Sequence, residues 1–451
     1  MKGRGFFAGA LLLSTLAGCS FYHAVPLDEA KLLEELRSAE VPADTVGKTE
    51  LSDGLSPDGA VALALRFNPE LNAFRQERGI AAGEVSSASA LANPEVGVEW
   101  LHLQEYYTRV MGWDVDLGWA PPQPFEWAAK RGRALADLNR VQNEIAEREI
   151  SLASAVRVSH AELTRVTGEI ELSEKSLAAR RKIAEFVSKR VARGAGTRFE
   201  RDLSELALAR SEAESQRLQA EQVRAAHLLM DLIGARSDAP PRLQAGASPD
   251  AGRADRLDAK ALEDRALRLR PGLLAAKDRY EMAEQSLRLE HAKKWPWFKF
   301  TSIPGYGNNW KNSVTNWDIG GRFTLPIFDW NGGRIDSAFA ARDRQRFEFV
   351  GTLARVRRDI ASGVAEVRAA TKTLQVYRDR VLPALEEHER LLQVSFRAGA
   401  LDVVALLDAE EVAQRSRREY LRSIADAASA WSRLDRSVGV AVSKEAGEGS
   451  R

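Results

Sequence analysis

Gly112-Trp113-Asp114-Val115-Asp116-Leu117-Gly118-Trp119 alternates with a period of two. Trp113, Val115, Leu117 and Trp119 share one face, and Gly112, Asp114, Asp116 and Gly118 the other. That is the mark of a strand with one apolar side and one wet side. The pattern returns as Trp317, Ile319, Gly321, Phe323 and Leu325 set against Asp318, Gly320, Arg322 and Thr324. A candidate partner precedes each strand. One is Glu95 to Leu103, with Val96, Val98 and Trp100 on one face; the other is Trp297 to Tyr306, irregular at Pro304. Two β-hairpins follow, about 95–119 and about 297–325. Of the ten tryptophans, only Trp431 lies away from them. Strands of about 9–11 residues with aromatic rims suit the wall of an outer-membrane barrel. Trp100, Trp113, Trp119, Trp297 and Trp317 are the candidate rim. A soluble sheet packed on helices, with Trp in its core, is the competing reading. Four strands cannot close a barrel, and open edges in lipid leave backbone groups without partners. The wall must then be shared: two copies give about eight strands and three about twelve.

The hairpins belong to a duplication. Ser56 to Gly234 and Leu257 to Gly439 hold the same parts in the same order. Each opens with a short amphipathic helix, then Asn68-Pro69-Glu70-Leu71 or Arg270-Pro271-Gly272-Leu273, then a further helix. The hairpin follows, then Pro124-Phe125-Glu126-Trp127 or Ile327-Phe328-Asp329-Trp330, and finally two long helices around a glycine turn. A period this long indicates gene duplication, not a solenoid.

The long helices carry a sustained 3.5-residue beat. It runs through Leu135, Leu138, Ile145, Leu152, Val156, Leu163, Val166, Ile170, Leu177, Ala184, Val187 and Val191. In the second copy it runs through Val350, Leu353, Ile360, Val364, Val367, Leu374, Val381, Leu385 and Leu392, where Pro383 should kink or break the helix. Such a repeat means supercoiled packing. The acidic side chains fall on flanking positions and read as a solvated face. The turns are Arg193-Gly194-Ala195-Gly196-Thr197 and Arg397-Ala398-Gly399-Ala400-Leu401. Gly132 and the run Asn331-Gly332-Gly333-Arg334 read as strand-to-helix junctions; no Lys-Ser/Thr follows, so a phosphate loop is rejected.

At the N-terminus, Lys2 and Arg4 precede an apolar stretch from Phe6 to Leu13, the layout of a secretory signal. Leu16-Ala17-Gly18-Cys19 then resembles a bacterial lipobox, which implies lipidation at Cys19, the only cysteine, and Ser20 favours outer-membrane sorting. Among 451 residues, 65 basic against 64 acidic side chains argue against a nucleic-acid partner. The single cysteine excludes an internal disulfide framework. The six histidines (His23, His102, His160, His227, His291 and His388) never stand at metal-ligand spacing. No catalytic constellation is present, so neither enzyme activity, a metal nor a cofactor is expected. The predicted boundaries are 1–18 signal peptide, 19–55 extended arm, 56–236 first repeat, 237–256 linker, 257–439 second repeat and 440–451 polar tail. Within the repeats, the long helical hairpins are placed at about 128–233 and about 334–437.

This layout resembles the TolC-like outer membrane efflux proteins over nearly the whole mature chain. The resemblance rests on the lipobox, the duplication, Asn93-Pro94-Glu95, Leu325-Pro326-Ile327-Phe328, and Phe396-Arg397-Ala398-Gly399 running into Leu406-Leu407-Asp408-Ala409. Asn68-Pro69-Glu70-Leu71 and Asn93-Pro94-Glu95 look most like the branch serving heavy-metal and other RND-type pumps. The resemblance implies an α+β membrane protein. Long coiled-coil hairpins and two β-hairpins per chain would form a homotrimeric 12-stranded barrel continuous with a periplasmic helical barrel. It implies a passive outer-membrane duct, lipid-anchored, with a large periplasmic part. An inner-membrane pump, such as an RND transporter, and a periplasmic adaptor would supply the cargo. By motif, Asp408 falls at the periplasmic aperture, where three copies make an acidic ring. Ala405 and Leu401 depart from the family, so a second acidic ring and one family lock are not expected. Arg193, Gly194, Gly196, Thr197, Arg397, Gly399 and Leu401 fall in the tips that meet the adaptor. A structural periplasmic coiled-coil lipoprotein, acting as scaffold or interaction protein, is the alternative.

Overall fold

The structure, a computed structural model, describes residues 22–38, 54–105, 108–235, 241–244, 246, 251–308, 313–397 and 403–442. The chain divides into two units, Met1–Pro42 and Ala43–Arg451. Helix α1 (Glu29–Ser38) lies in the first. Its sequence is rich in Glu, Leu, Lys and Ala, all strong helix formers, and the Lys31 N–H donates to Asp28 Oδ1 at 3.0 Å. The arm read as extended from 19 to 55 therefore contains a helix.

In the second unit, α2 (Pro57–Phe67) and α3 (Pro69–Ser89) each begin on proline. The missing N–H costs nothing at that position, and Ser56 and Asn68 cap the following N–H groups. Strands β1 (Glu95–Glu105) and β2 (Thr108–Trp119) lead into α4 (Pro124–Ala192). With 69 residues, α4 extends for about 100 Å, and α5 (Arg198–Ile233) returns along it. After the short α6 (Ala251–Asp255), the order repeats as α7 (Ala259–Leu269), α8 (Pro271–Ala292), β3 (Phe298–Asn308), β4 (Ser313–Phe323) and α9 (Gly332–Val376). A π-helical turn (Tyr377–Val381), α10 (Leu382–Arg397) and α11 (Val403–Val438) complete the second copy. Among the described residues no helix is long and apolar enough to cross a membrane.

The four strands form one antiparallel sheet in the order β1-β2-β3-β4. β2 and β3 join the two copies. Their pairing runs from Met111↔Asn308 to Asp114↔Gly305 and resumes at Leu117↔Ser302. The gap lies beside Pro304, which has no N–H to offer the ladder.

Helix α4 packs against α2, α3, α5, α8 and α11, and α9 packs against α7, α8 and α11. Val156, Leu163, Val166, Ala184 and Val187 are buried, as are Ile360, Val364, Val367, Leu374 and Leu385. Leu135 and Val350, the sheet-proximal ends of the predicted beat, are exposed. Two local expectations shift. Gly132 lies inside α4, against the Gln285 side chain, and marks no junction. The second long helix changes character just before Pro383: the Leu382 N–H bonds to Tyr377 O, a π spacing. Proline cannot satisfy the carbonyl four residues earlier, and a wider turn relieves that clash.

Each copy is closed by the same joint. Gly234 ends α5 at φ 78°, and a Cβ there would stand 2.6 Å from the Phe67 carbonyl oxygen. Gly439 follows α11 at φ 86°, and its Cβ would stand 2.8 Å from Arg270 Cα. Across these approaches, Asn68 Nδ2 donates to Leu232 O and Arg270 Nη1 to Ser437 O, both at 3.0 Å. Terminal carbonyls that the helices leave without partners are thereby satisfied. Gly234→Ala is expected to cost more than the roughly 1–2 kcal/mol of a left-handed alanine, because the carbonyl must also move. Gly79→Ala, at an open position in α3, is expected to be neutral or stabilising by up to about 1 kcal/mol. Chemical unfolding of both variants checks the contrast.

Candidate functional site

Register places Val96, Val98 and Trp100 on the same sheet face as Leu117, Val115 and Trp113. Phe300 joins them opposite Trp119, and Ile319 and Phe323 opposite Ser302 and Phe298. Among the described residues this face is open: Val98 is 73% and Ile319 75% exposed. Trp100 and Trp113 are direct cross-strand partners, and Trp317 stands opposite Pro304. Near the helical end of the sheet, Trp119 Nε1 donates to Ala92 O at 3.0 Å and Trp297 Nε1 to Pro121 O at 2.5 Å. Each indole thus ties its polar edge to the loops while offering an apolar body. Phe298 lies 5.0 Å from Trp297 and 6.2 Å from Phe323 between ring centroids.

The other face is charged. In register, Glu99 stands opposite Asp114; Lys299 stands opposite Arg322, a like-charge pair that needs water around it. Lys299 bridges to Glu95 across the sheet. Gly97 makes room for Asp116, since a Cβ there would fall 2.0 Å from Asp116 Oδ1.

Below the sheet, the solvated-face expectation fails at Glu169, whose side chain is 1% exposed. Arg165, on the same helix α4, bonds Glu169, Glu162 at 2.5 Å and Glu221 of α5 at 2.7 Å. Arg422 of α11 approaches Glu169 at 3.7 Å. The Arg165 hydrogen bond holds the Glu162 carboxyl below its ordinary range, and the Glu162 bond holds Arg165 more firmly protonated. Three helices are locked at one level. His160 is also buried, with Nε2 2.8 Å from Leu55 O. Leu55 in turn bridges to Leu243, between the two copies. Burial pushes the His160 imidazole below its ordinary value, against the opposing effect of the Leu55 carbonyl. Neither site was legible from spacing, because a buried Glu or His on a long helix looks like any other polar residue there.

The first hairpin tip is tied by its own hydrogen bonds. Gly194 has φ 72°, and Arg190 Nη2 donates to Ala195 O at 2.9 Å. Gly196 sits against Val191, and Thr197 and Glu200 form a reciprocal capping box. Arg193 is exposed at the end of α4. In the second hairpin, Arg397 ends α10, while Gly399 and Leu401 lie outside the described residues, as does Cys19. Val403 and Leu407 of α11 are buried against Val187, with Ile183, Val191 and Leu203 around them. Asp408 follows Leu407 on the exposed side of α11. Its near neighbour Glu410 is pushed up by burial, partly offset by the charge of Arg180. Among the described residues no group of three His, Cys, Asp or Glu side chains is placed to hold a metal ion.

Comparison with known proteins agrees with this architecture. The family described as outer membrane efflux protein is matched over residues 262–440. The chain is 23% identical over 395 residues to the cobalt-zinc-cadmium resistance protein CzcC of Cupriavidus metallidurans, a match covering 86% of this chain and 91% of that protein. Its fold is similar to that of the outer-membrane channel OprN, with TM-score 0.72 at 16% identity over 87% of this chain and 91% of that one. It is also similar to the open state of the Neisseria gonorrhoeae MtrE outer membrane channel, with TM-score 0.69 at 18% identity over 85% and 89%. The family resemblance read from the sequence therefore stands, and the fold is that of these channels.

Glu169→Ala is expected to destabilise the chain by about 2 kcal/mol, because it removes a buried charge-assisted hydrogen bond while Arg165 keeps Glu162 and Glu221; chemical unfolding measures it. His160 acts on the pH dependence. Its folded-state value is lowered, so the stability it supports is present above about pH 6.5 and falls as pH drops through that range. His160→Gln is expected to flatten the melting temperature between about pH 7 and 5. An unchanged slope would remove His160 from the acid response.

Proposed function

We propose that this chain, a member of the outer membrane efflux protein family through residues 262–440, is the passive outer-membrane duct of a tripartite export system. The observation that carries the proposal is the sheet: four strands, apolar on one face and charged on the other, leading directly into a helix of about 100 Å. In lipid, the outer edges of β1 and β4 need partners, because each unpaired backbone group costs several kcal/mol. Three copies give a 12-stranded barrel, with Glu99, Asp114 and Asp116 on the lumen side and the aromatic face toward lipid. Trp119 and Trp297, anchored to loop carbonyls, suit the periplasmic boundary of the apolar band. Trp100, Trp113 and Trp317 lie about 20 Å further along the strands, toward the opposite boundary.

The helices continue the wall into the periplasm as a helical barrel. Lipid on Cys19 anchors the chain in the outer membrane. The repeat organisation read from the sequence, with a polar tail after 439, serves this assembly. At the far end, Asp408 faces the aperture, where a ring of three carboxylates favours cations. The tips Arg193, Gly194, Gly196 and Thr197, and Arg397, Gly399 and Leu401, meet the periplasmic adaptor. The adaptor in turn links the duct to an inner-membrane pump of the RND class. CzcC is a cobalt-zinc-cadmium resistance protein. An acidic lumen face suits cation cargo of that kind, so heavy-metal export is favoured over drug export. No chemical step takes place in the duct, and the pump supplies the energy.

Native mass measured on detergent extracts of outer membranes is expected to give a lipidated trimer. A monomer released into aqueous buffer on removal of the lipid would overturn the duct in favour of a periplasmic scaffold. Trp113→Asp and Val115→Asp are each expected to abolish membrane assembly; normal assembly of both would reverse the assignment of faces. Asp408→Ala is expected to raise single-channel conductance or weaken cation block, and unchanged currents would remove Asp408 from the aperture.

A further inference from the structure

The two hairpin tips of one chain carry opposite charge. Residues 180–207 hold eight basic and four acidic side chains, whereas the matching stretch 384–411 holds seven acidic and two basic ones. On the first tip the excess is organised. Lys182, Phe186, Lys189 and Arg193 follow one another at spacings of three and four, so they form a stripe on one face of α4. All four are exposed. Across the turn, Arg198 opens α5 and Phe199 follows it, 68% exposed.

Lys182, Lys189, Arg193 and Arg198 make no ion pair among the described residues. The cations near the end of α4 are favoured by the helix dipole, but Arg198 is not. It stands at the positive end of α5, where a cation is locally unfavourable, and the nearby N–H groups are already capped by Thr197 and Glu200. A positive charge and a bare phenylalanine on a pinned turn suit a partner with a fixed shape. A membrane surface would instead favour a continuous apolar face along a helix.

We propose that the crest of the first hairpin, Lys182, Phe186, Lys189, Arg193, Arg198 and Phe199, docks an acidic tip of a folded periplasmic protein. Apolar side chains of that tip receive the two phenylalanines. The proposal rests on the duct reading and specifies the chemistry of one of its contacts. A partner touching both kinds of tip must then alternate in charge around the mouth of the tunnel, which fixes its rotational register.

The test uses the full-length lipidated protein in nanodiscs. The probes are two synthetic coiled-coil hairpins, identical except that the turn carries glutamates flanking leucines in one and lysines flanking leucines in the other. The glutamate hairpin is expected to bind at least about tenfold more tightly at low salt, with the advantage shrinking as salt rises. The double variant Arg193→Glu/Arg198→Glu is expected to erase that preference, and Phe199→Ala to weaken binding of the glutamate hairpin. Equal or tighter binding of the lysine hairpin would overturn the proposal. So would capture by phosphatidylglycerol vesicles with no preference between hairpins. Native mass and conductance of the parent and the variants are read alongside. A parent that is monomeric or non-conducting sinks the duct, whereas conducting trimers that favour the lysine hairpin sink only the crest.

Discussion

The contact of Gly234 with Phe67-Asn68-Pro69, repeated by Gly439 at Arg270-Pro271, holds the two ends of each copy together. Apolar seams between long helices repeat along the axis and set the axial position only loosely. A steric joint that admits only glycine, reinforced by a side-chain bond to a terminal carbonyl, sets it. With that level fixed, the strands leave from one end of the helices and the tips project from the other. The duplicated architecture is thus two applications of one backbone constraint, using Asn68 in the first copy and Arg270 in the second.

Between joint and tip, the helices are held by polar chemistry as much as by apolar packing. Arg165 gathers Glu162, Glu169 and Glu221 at one level, while Val156, Leu163 and Val166 fill the core nearby. A buried charge cluster adds specificity where a repeating apolar seam could slip by a turn, since a shifted register would part Arg165 from Glu221 and Arg422 from Glu169. His160 plays a related part, tying the helix to Leu55, which pairs in turn with Leu243 of the segment between the copies.

Much of this was legible in the sequence because it depends on local periodicity. The strands were readable from alternation at Trp113 to Trp119, the long helices from their apolar beat, and the joint region from Asn68-Pro69 and Arg270-Pro271. What escaped depends on three-dimensional neighbours. Glu169 sits at a flanking position that is solvated on most helices; only the approach of α5 and α11 buries it. Gly132 looked like a junction residue, yet its absent side chain serves packing against Gln285. The helix at Glu29 was missed because a proline-punctuated, polar context outweighed its favourable local composition. The tips were readable as turns, but their opposite charges emerge only when matched stretches of the two copies are set side by side.

The π-helical turn at Tyr377–Val381 has a consequence for how the two copies can diverge. Such a turn holds one residue more than an α-turn over nearly the same length. Upstream and downstream faces are therefore out of phase by about 100°, one residue's rotation in a 3.6-residue helix. The first copy, with its unbroken α4, keeps a single phase from sheet to tip. The second copy can therefore hold one residue more than the first between strand and tip without moving the joint or the strands.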